Sequence, residues 1–210
     1  MTHPYVATRR QLRGVAESLI AGPQYRTAGT IRLAVRPDGF AAAAVPLSVH
    51  GTDLVFPNGS VRLAGPVAAI AEEAGVVPGP PDGVYRIVDP LPADAELALD
   101  PNAAAWLQRA HYAGGHALKH VLPQQHPTLW PEHFDVAVSE DEVNYGVSAG
   151  DETHPTPYAY VGPWQKRTGP FWNAPFGALY PLGAGHDVDA LTTEIVDFFE
   201  RGRTELGIRP

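Results

Sequence analysis

Residues 134–138 and 143–147, FDVAV and VNYGV, are two β-prone runs separated by the polar tetrapeptide SEDE. Nothing else in the chain restricts its fold as tightly. Strict alternation of apolar and polar side chains is the mark of a half-buried strand, and two such runs about one turn apart make an antiparallel hairpin. Pairing Val138 with Val143 and Asp135 with Gly146 puts Phe134, Val136, Val138, Val143, Tyr145 and Val147 on one face. His133, Asp135, Asn144 and Ser148 then share the other, because side chains alternate with period two.

Turn chemistry extends this pattern along the chain. Pro and Gly account for 22 and 21 of the 210 residues, which forces short elements and frequent turns. Ile31, Leu33 and Val35 alternate before a Pro37-Asp38-Gly39 turn, and Phe40 starts a second strand. Asn58-Gly59 sits between DLVF and SVRL, a strong hairpin signal when both residues take positive φ. Strands are also expected near 134–139, 143–148, 158–163 and 176–181, with a possible one at 84–88. Helices are expected from an N-cap at Thr8 to a stop at Gly22-Pro23, from Pro66 to Ala74 before Gly75, from an Asn102 cap to Val121, and from Asp189 to Glu205. In the last of these Leu191, Ile195, Phe198 and Phe199 face inward.

The expected fold is α+β. It has largely antiparallel sheets flanked by helices, in two roughly similar helix–strands–helix halves. The length suits a single domain over 1–210, with any subdivision near the proline-rich stretch 76–100.

Composition removes several function classes. The formal net charge of −8 offers no basic surface for a phosphate backbone, so nucleic acid is not an expected partner. Arg9, Arg10 and Arg13 read as a solvated helix face. The absence of cysteine excludes disulfides, thiolate metal sites and cysteine nucleophiles. No apolar run approaches the ~20 residues of a membrane span, and MTHPYVATRR lacks the apolar core of a signal peptide, so a soluble cytoplasmic protein is expected.

Residues 129–182 hold three of the four Trp, interleaved with acids, amides and hydroxyls. Large rings beside sparse polar groups suit a small-molecule pocket. The expected lining is Trp130, His133, Asp135, Asn144, Tyr158, Tyr160, Trp164 and Trp172. Asp135 or Asn144 would supply the polar contact, and His133 would tune it near neutral pH. An alternative is a hydrolase in which Ser148 is the nucleophile, His133 the base and Asp135 its orienter. G-x-S-x-G at 146–150 fits that reading only if a helix follows the serine, and DETHPTPYAY has no helical period. His133-x-Asp135 with His154 or His186 has the residue types of an iron(II) site. A protein-interaction module is a further alternative. His116 and His120 stand at i, i+4, but they and His111 read as surface histidines. No metal, no cofactor and no calcium or nucleotide loop is expected.

The blocks LWPEHFD, NYGVSAGD, PYAYVGPW and FWNAPFG resemble the signature blocks of a family of uncharacterised, mostly actinobacterial proteins. The order W-x-x-x-F-D, S-x-G, Y-x-Y more distantly resembles another family of unknown function. The resemblance implies a single domain over most of the chain and brings no activity, cofactor or site residue with it.

Overall fold

The computed structural model describes residues 4–88 and 90–208. The chain forms two compact units, residues 1–108 with 129–134 and residues 109–128 with 135–210. All described strand pairs are antiparallel, as an α+β chain with short connections requires. The change from one unit to the other falls inside a helix, not in the proline-rich stretch 76–100. Among the described residues no helix is long and apolar enough to cross a membrane.

The first unit opens with α1 (Pro4–Val15), a π-helical segment (Ala16–Ala21) and α2 (Gly22–Ala28). Gly22-Pro23 does not stop this helix, contrary to the sequence expectation. Proline inside an α-helix would strike the carbonyl four residues back. Here the π segment widens the turn, and the Gly22 N–H bonds to the Glu17 carbonyl five residues back. Gly22 is there for space: a Cβ on it would lie 1.8 Å from the Gly79 carbonyl oxygen. The helix ends instead at Gly29, in the left-handed conformation at φ 68°. Thr8 is accordingly not a cap but a buried mid-helix residue whose Oγ1 accepts the Asp100 N–H at 3.0 Å. Arg9 is also buried, and Arg13 donates to the Glu132 carbonyl and faces Glu17 at 3.7 Å. The basic cluster is thus partly structural rather than a solvated face.

Strands β1 (Leu33–Arg36), β2 (Gly39–Ala42), β3 (Ser48–His50), β4 (Asp53–Phe56) and β5 (Gly59–Arg62) form a meander. Leu33, Phe40, Val49 and Leu54 lie on its buried face, and fully burying such a side chain contributes about 1.5–3 kcal/mol. The turns Arg36-Pro37-Asp38-Gly39 and Phe56-Pro57-Asn58-Gly59 share one design. Arg36 pairs with Gly39 and Phe56 with Gly59, so the central residues are Pro-Asp and Pro-Asn. None of these four central residues has positive φ, which fits type I turns with Pro at i+1 and Gly at i+3. The Asn58-Gly59 pair is therefore not the centre of its turn, as the sequence had suggested.

β6 (Ala64–Pro66) leads into α3 (Val67–Ala74), closed by Gly75 at φ 67°. No strand forms at 84–88; β7 (Glu96–Ala98) pairs with β6 instead. α4 (Pro101–Val121) is capped by Asp100, not Asn102: its Oδ1 accepts the Ala103 N–H at 2.8 Å, and Pro101 opens the first turn. β8 (Thr128–Trp130) follows and pairs with β1.

The second unit contains β9 (Asp135–Glu140), β10 (Val143–Ser148), β11 (Tyr158–Pro163) and β12 (Ala178–Pro181), in the order β12-β11-β10-β9. α5 (Val188–Glu205) closes it, capped by Asp187. Val136, Val138, Val143, Tyr145, Val147 and Val161 are buried on one face of this sheet. The later part of α4 and α5 both pack there. A Cβ on Gly114 would meet Val147 at 2.7 Å, one on Gly202 would meet Val161 at 2.8 Å, and Phe199 sits edge-on to Tyr145.

Candidate functional site

The face of the second-unit sheet turned away from those helices carries the chemistry. The hairpin has a two-residue loop at Asp141-Glu142, one residue further along than the Glu140-Asp141 loop of the expected pairing, so the register is shifted by two: Asp135 pairs with Ser148, Ala137 with Gly146 and Asn144 with Ser139. The shift is even, so Asp135, Asn144 and Ser148 still share a face, as the alternation predicts. Both loop residues have positive φ, 51° and 61°, which a two-residue hairpin needs to match the twist of its strands.

Adding β11 places Tyr158 opposite Ser148, Tyr160 opposite Gly146 and Gly162 opposite Asn144. Tyr160 lies across Gly146, where a Cβ would stand 2.5 Å from its hydroxyl oxygen. The ring thereby reaches diagonally to Asp135 and donates a hydrogen bond to Oδ2. Asp135 and Ser148 are buried at 6 and 7 % exposure, whereas Tyr160 is half-buried. Next to this pair, the Tyr158 hydroxyl donates to Asp151 Oδ2 at 2.7 Å. Asp151 Oδ1 accepts the Thr153 and His154 N–H groups at 2.6 and 2.7 Å.

Electrostatics follow from this packing. Burial, then the Asp135 carboxylate, raise the Tyr160 hydroxyl well above its ordinary pKa. Burial, then the bond to Asp151, raise Tyr158 likewise. Burial pulls the Asp151 carboxyl upward, but the His154 and Thr153 N–H groups and the Tyr158 hydroxyl outweigh it and hold it below the usual value. At neutral pH the site is two neutral phenols on carboxylates, one of them firmly ionised.

Rings surround these groups. Phe176 stacks on Tyr158 with centroids 6.4 Å apart and meets Tyr160 edge-on at 6.2 Å, while His154 meets Tyr158 edge-on at 5.7 Å. Phe176 stays 42 % exposed.

The expected site residues separate into groups. Asp135, Ser148, Tyr158 and Tyr160 come together. Asn144 is next to them on the face, where its Oδ1 accepts from Ser139 at 2.7 Å and from the Trp164 indole at 3.2 Å. Trp164 is 66 % exposed. Trp172 sits edge-on to Phe171 at 4.9 Å. Trp130 belongs to the first unit, with the Arg32 guanidinium 5.8 Å over its ring. His133 is exposed in the turn before β9, also in the first unit. Asp151 and Phe176 were not anticipated. An Asp shortly before a Pro-rich turn is a sequence signal for the Asp151 loop.

G-x-S-x-G has a local explanation. Gly146 makes room for Tyr160, Ser148 Oγ accepts the Gly150 N–H at 3.0 Å, and Gly150 takes φ 102°. The strand runs on into a loop and β11, with no helix after the serine. His186 Nδ1 lies 2.7 Å from Glu194. His116 and His120 are exposed, but His111 is buried at 1 %, which corrects its reading as a surface residue; it sits on the same side of α4 as the buried Leu107 and Leu118. Among the described residues no three His, Asp or Glu side chains are grouped to hold a metal ion.

The fold and site define an α+β protein whose second unit presents an aspartate–tyrosine face beneath partly exposed rings. No protein-family model matches the chain, and no curated protein or solved structure matches it.

Proposed function

We propose that the protein binds a small organic molecule on the aspartate–tyrosine face of its second unit. The observation that carries this reading is the buried Asp135 carboxylate, opposite Ser148 and covered by the Tyr160 hydroxyl. A buried carboxylate beneath a ring gives a ligand hydroxyl or amine an acceptor of fixed direction, and Phe176 and Tyr158 supply ring surface. The acidic character of the chain favours a neutral or cationic ligand over an anion at this place.

A thermal-shift screen of amines, polyols, amino acids and nucleosides tests the reading. A compound that raises the melting temperature of the wild type, and does so less in Asp135→Asn and Tyr160→Phe, supports it. Hits that stabilise all three proteins equally, or a screen with none, count against it. The exposed Trp164 favours a second reading, a protein-interaction surface. Loss of a co-purifying protein partner in Trp164→Ala, with small-molecule hits absent, is the result that reading expects.

A further inference from the structure

A separate concavity lies on the meander of the first unit. The registers of β1–β4 place Arg36, Ala41, Ser48, His50 and Val55 on the face opposite the buried Leu33, Phe40, Val49 and Leu54. The loop residues Val45 and Pro46 and the turn residue Pro57 border the same open concavity, whose volume is about 370 Å³. This is within the volume range of small-molecule sites.

Charge decides what fits there. His50 Nδ1 faces Asp38 at 3.4 Å, and Arg62 is held by Asp53 at 2.9 Å and by the Thr52 hydroxyl at 2.6 Å. Arg36, by contrast, has neither a carboxylate nor a hydrogen-bond partner among the described residues, and it borders the concavity. A free guanidinium is a planar fork matched to carboxylate and phosphate oxygens. Beside it are a serine hydroxyl and an imidazole, and beyond them an apolar wall.

We propose that this concavity binds a small organic anion, a carboxylate or phosphate monoester on a compact apolar body. The anionic end lies on Arg36, with Ser48 as a further donor. The apolar body rests on Val45, Pro46 and Val55. This site is independent of the aspartate–tyrosine face, because every residue in it belongs to the first unit.

The test is an amide NMR titration of the full chain with benzoate and with phenyl phosphate, using benzyl alcohol as the neutral control. The expected result is saturable shifts confined to residues 36–57 for at least one anion and none for benzyl alcohol. The preferred anion distinguishes a carboxylate site from a phosphate site. Arg36→Gln, at an exposed turn position, is expected to weaken binding by roughly tenfold or more, the size of one charge-assisted hydrogen bond. Val55→Ala is expected to weaken it as well. No saturable shifts with either anion, equal binding of benzyl alcohol, or unchanged affinity in a folded Arg36→Gln variant would overturn the proposal.

Discussion

Gly146→Ala is the sharpest perturbation of the second-unit face. The new Cβ would stand 2.5, 2.6 and 2.7 Å from Oη, Cζ and Cε1 of Tyr160. Ordinary carbon contacts begin near 3.5 Å, so the ring must retreat by roughly 1 Å or the strand must bend. Retreat pulls the hydroxyl off Asp135, and a hydrogen bond to a charged group contributes about 1.5–3 kcal/mol. Holding the ring in place instead costs about 1–3 kcal/mol in overpacking. The chain takes the cheaper course. Removing a strand glycine returns about 0.5–1 kcal/mol of backbone entropy. The net expectation is a loss of about 1–2 kcal/mol. In a Tyr160→Ala background the Cβ meets no ring, so the same substitution should be neutral or stabilising by up to ~1 kcal/mol. Urea unfolding of the four proteins, followed by far-ultraviolet circular dichroism, gives the coupling directly. A coupling below about 0.5 kcal/mol would refute the claim that Gly146 exists to seat Tyr160.

The remaining expectations test other parts of the account. Glu142→Gly should stabilise the protein by about 0.5–1 kcal/mol, because a non-glycine residue there is held at φ 61°; a destabilised variant in urea melts would contradict the loop geometry. Gly22→Ala should destabilise strongly, since its Cβ would overlap the Gly79 carbonyl, and an unchanged melting temperature would contradict that close approach. Asp151 has its folded pKa lowered, so its contribution to stability is present above the ordinary carboxylate range and is lost as pH falls through and below it. Asp151→Asn should flatten the acid limb of a stability–pH curve, and an unaltered limb would refute the assignment. Tyr160 has its pKa raised, so its contribution is present below about pH 10 and is lost above it; Tyr160→Phe should remove that alkaline loss.

Alternation makes the second-unit sheet legible in the sequence. Val136, Val138, Val143, Tyr145 and Val147 are buried as their period requires, and Asp135, Asn144 and Ser148 share the opposite face. The register was missed by two because a two-residue loop of Asp-Glu at positive φ carries none of the Asn-Gly chemistry that marks such turns. Gly22-Pro23 misled for a related reason. Glycine and proline signal helix ends by local propensity, but here a tertiary approach by Gly79 and a π segment decide the outcome. Within the site, Tyr158 and Tyr160 were readable as one face, whereas the reach of Tyr160 over Gly146 depends on which strands are neighbours. That information is in the pairing of β10 with β11, not in either segment alone.

The central claim is tested most directly by amide NMR of the labelled protein titrated with the amine, polyol, amino-acid and nucleoside set. The account predicts at least one compound whose saturable shifts centre on Asp135, Gly146, Ser148 and Tyr160. It also predicts that Asp135→Asn, still folded, loses those shifts. A set that moves none of these amides, or shifts that persist unchanged in Asp135→Asn, would contradict it.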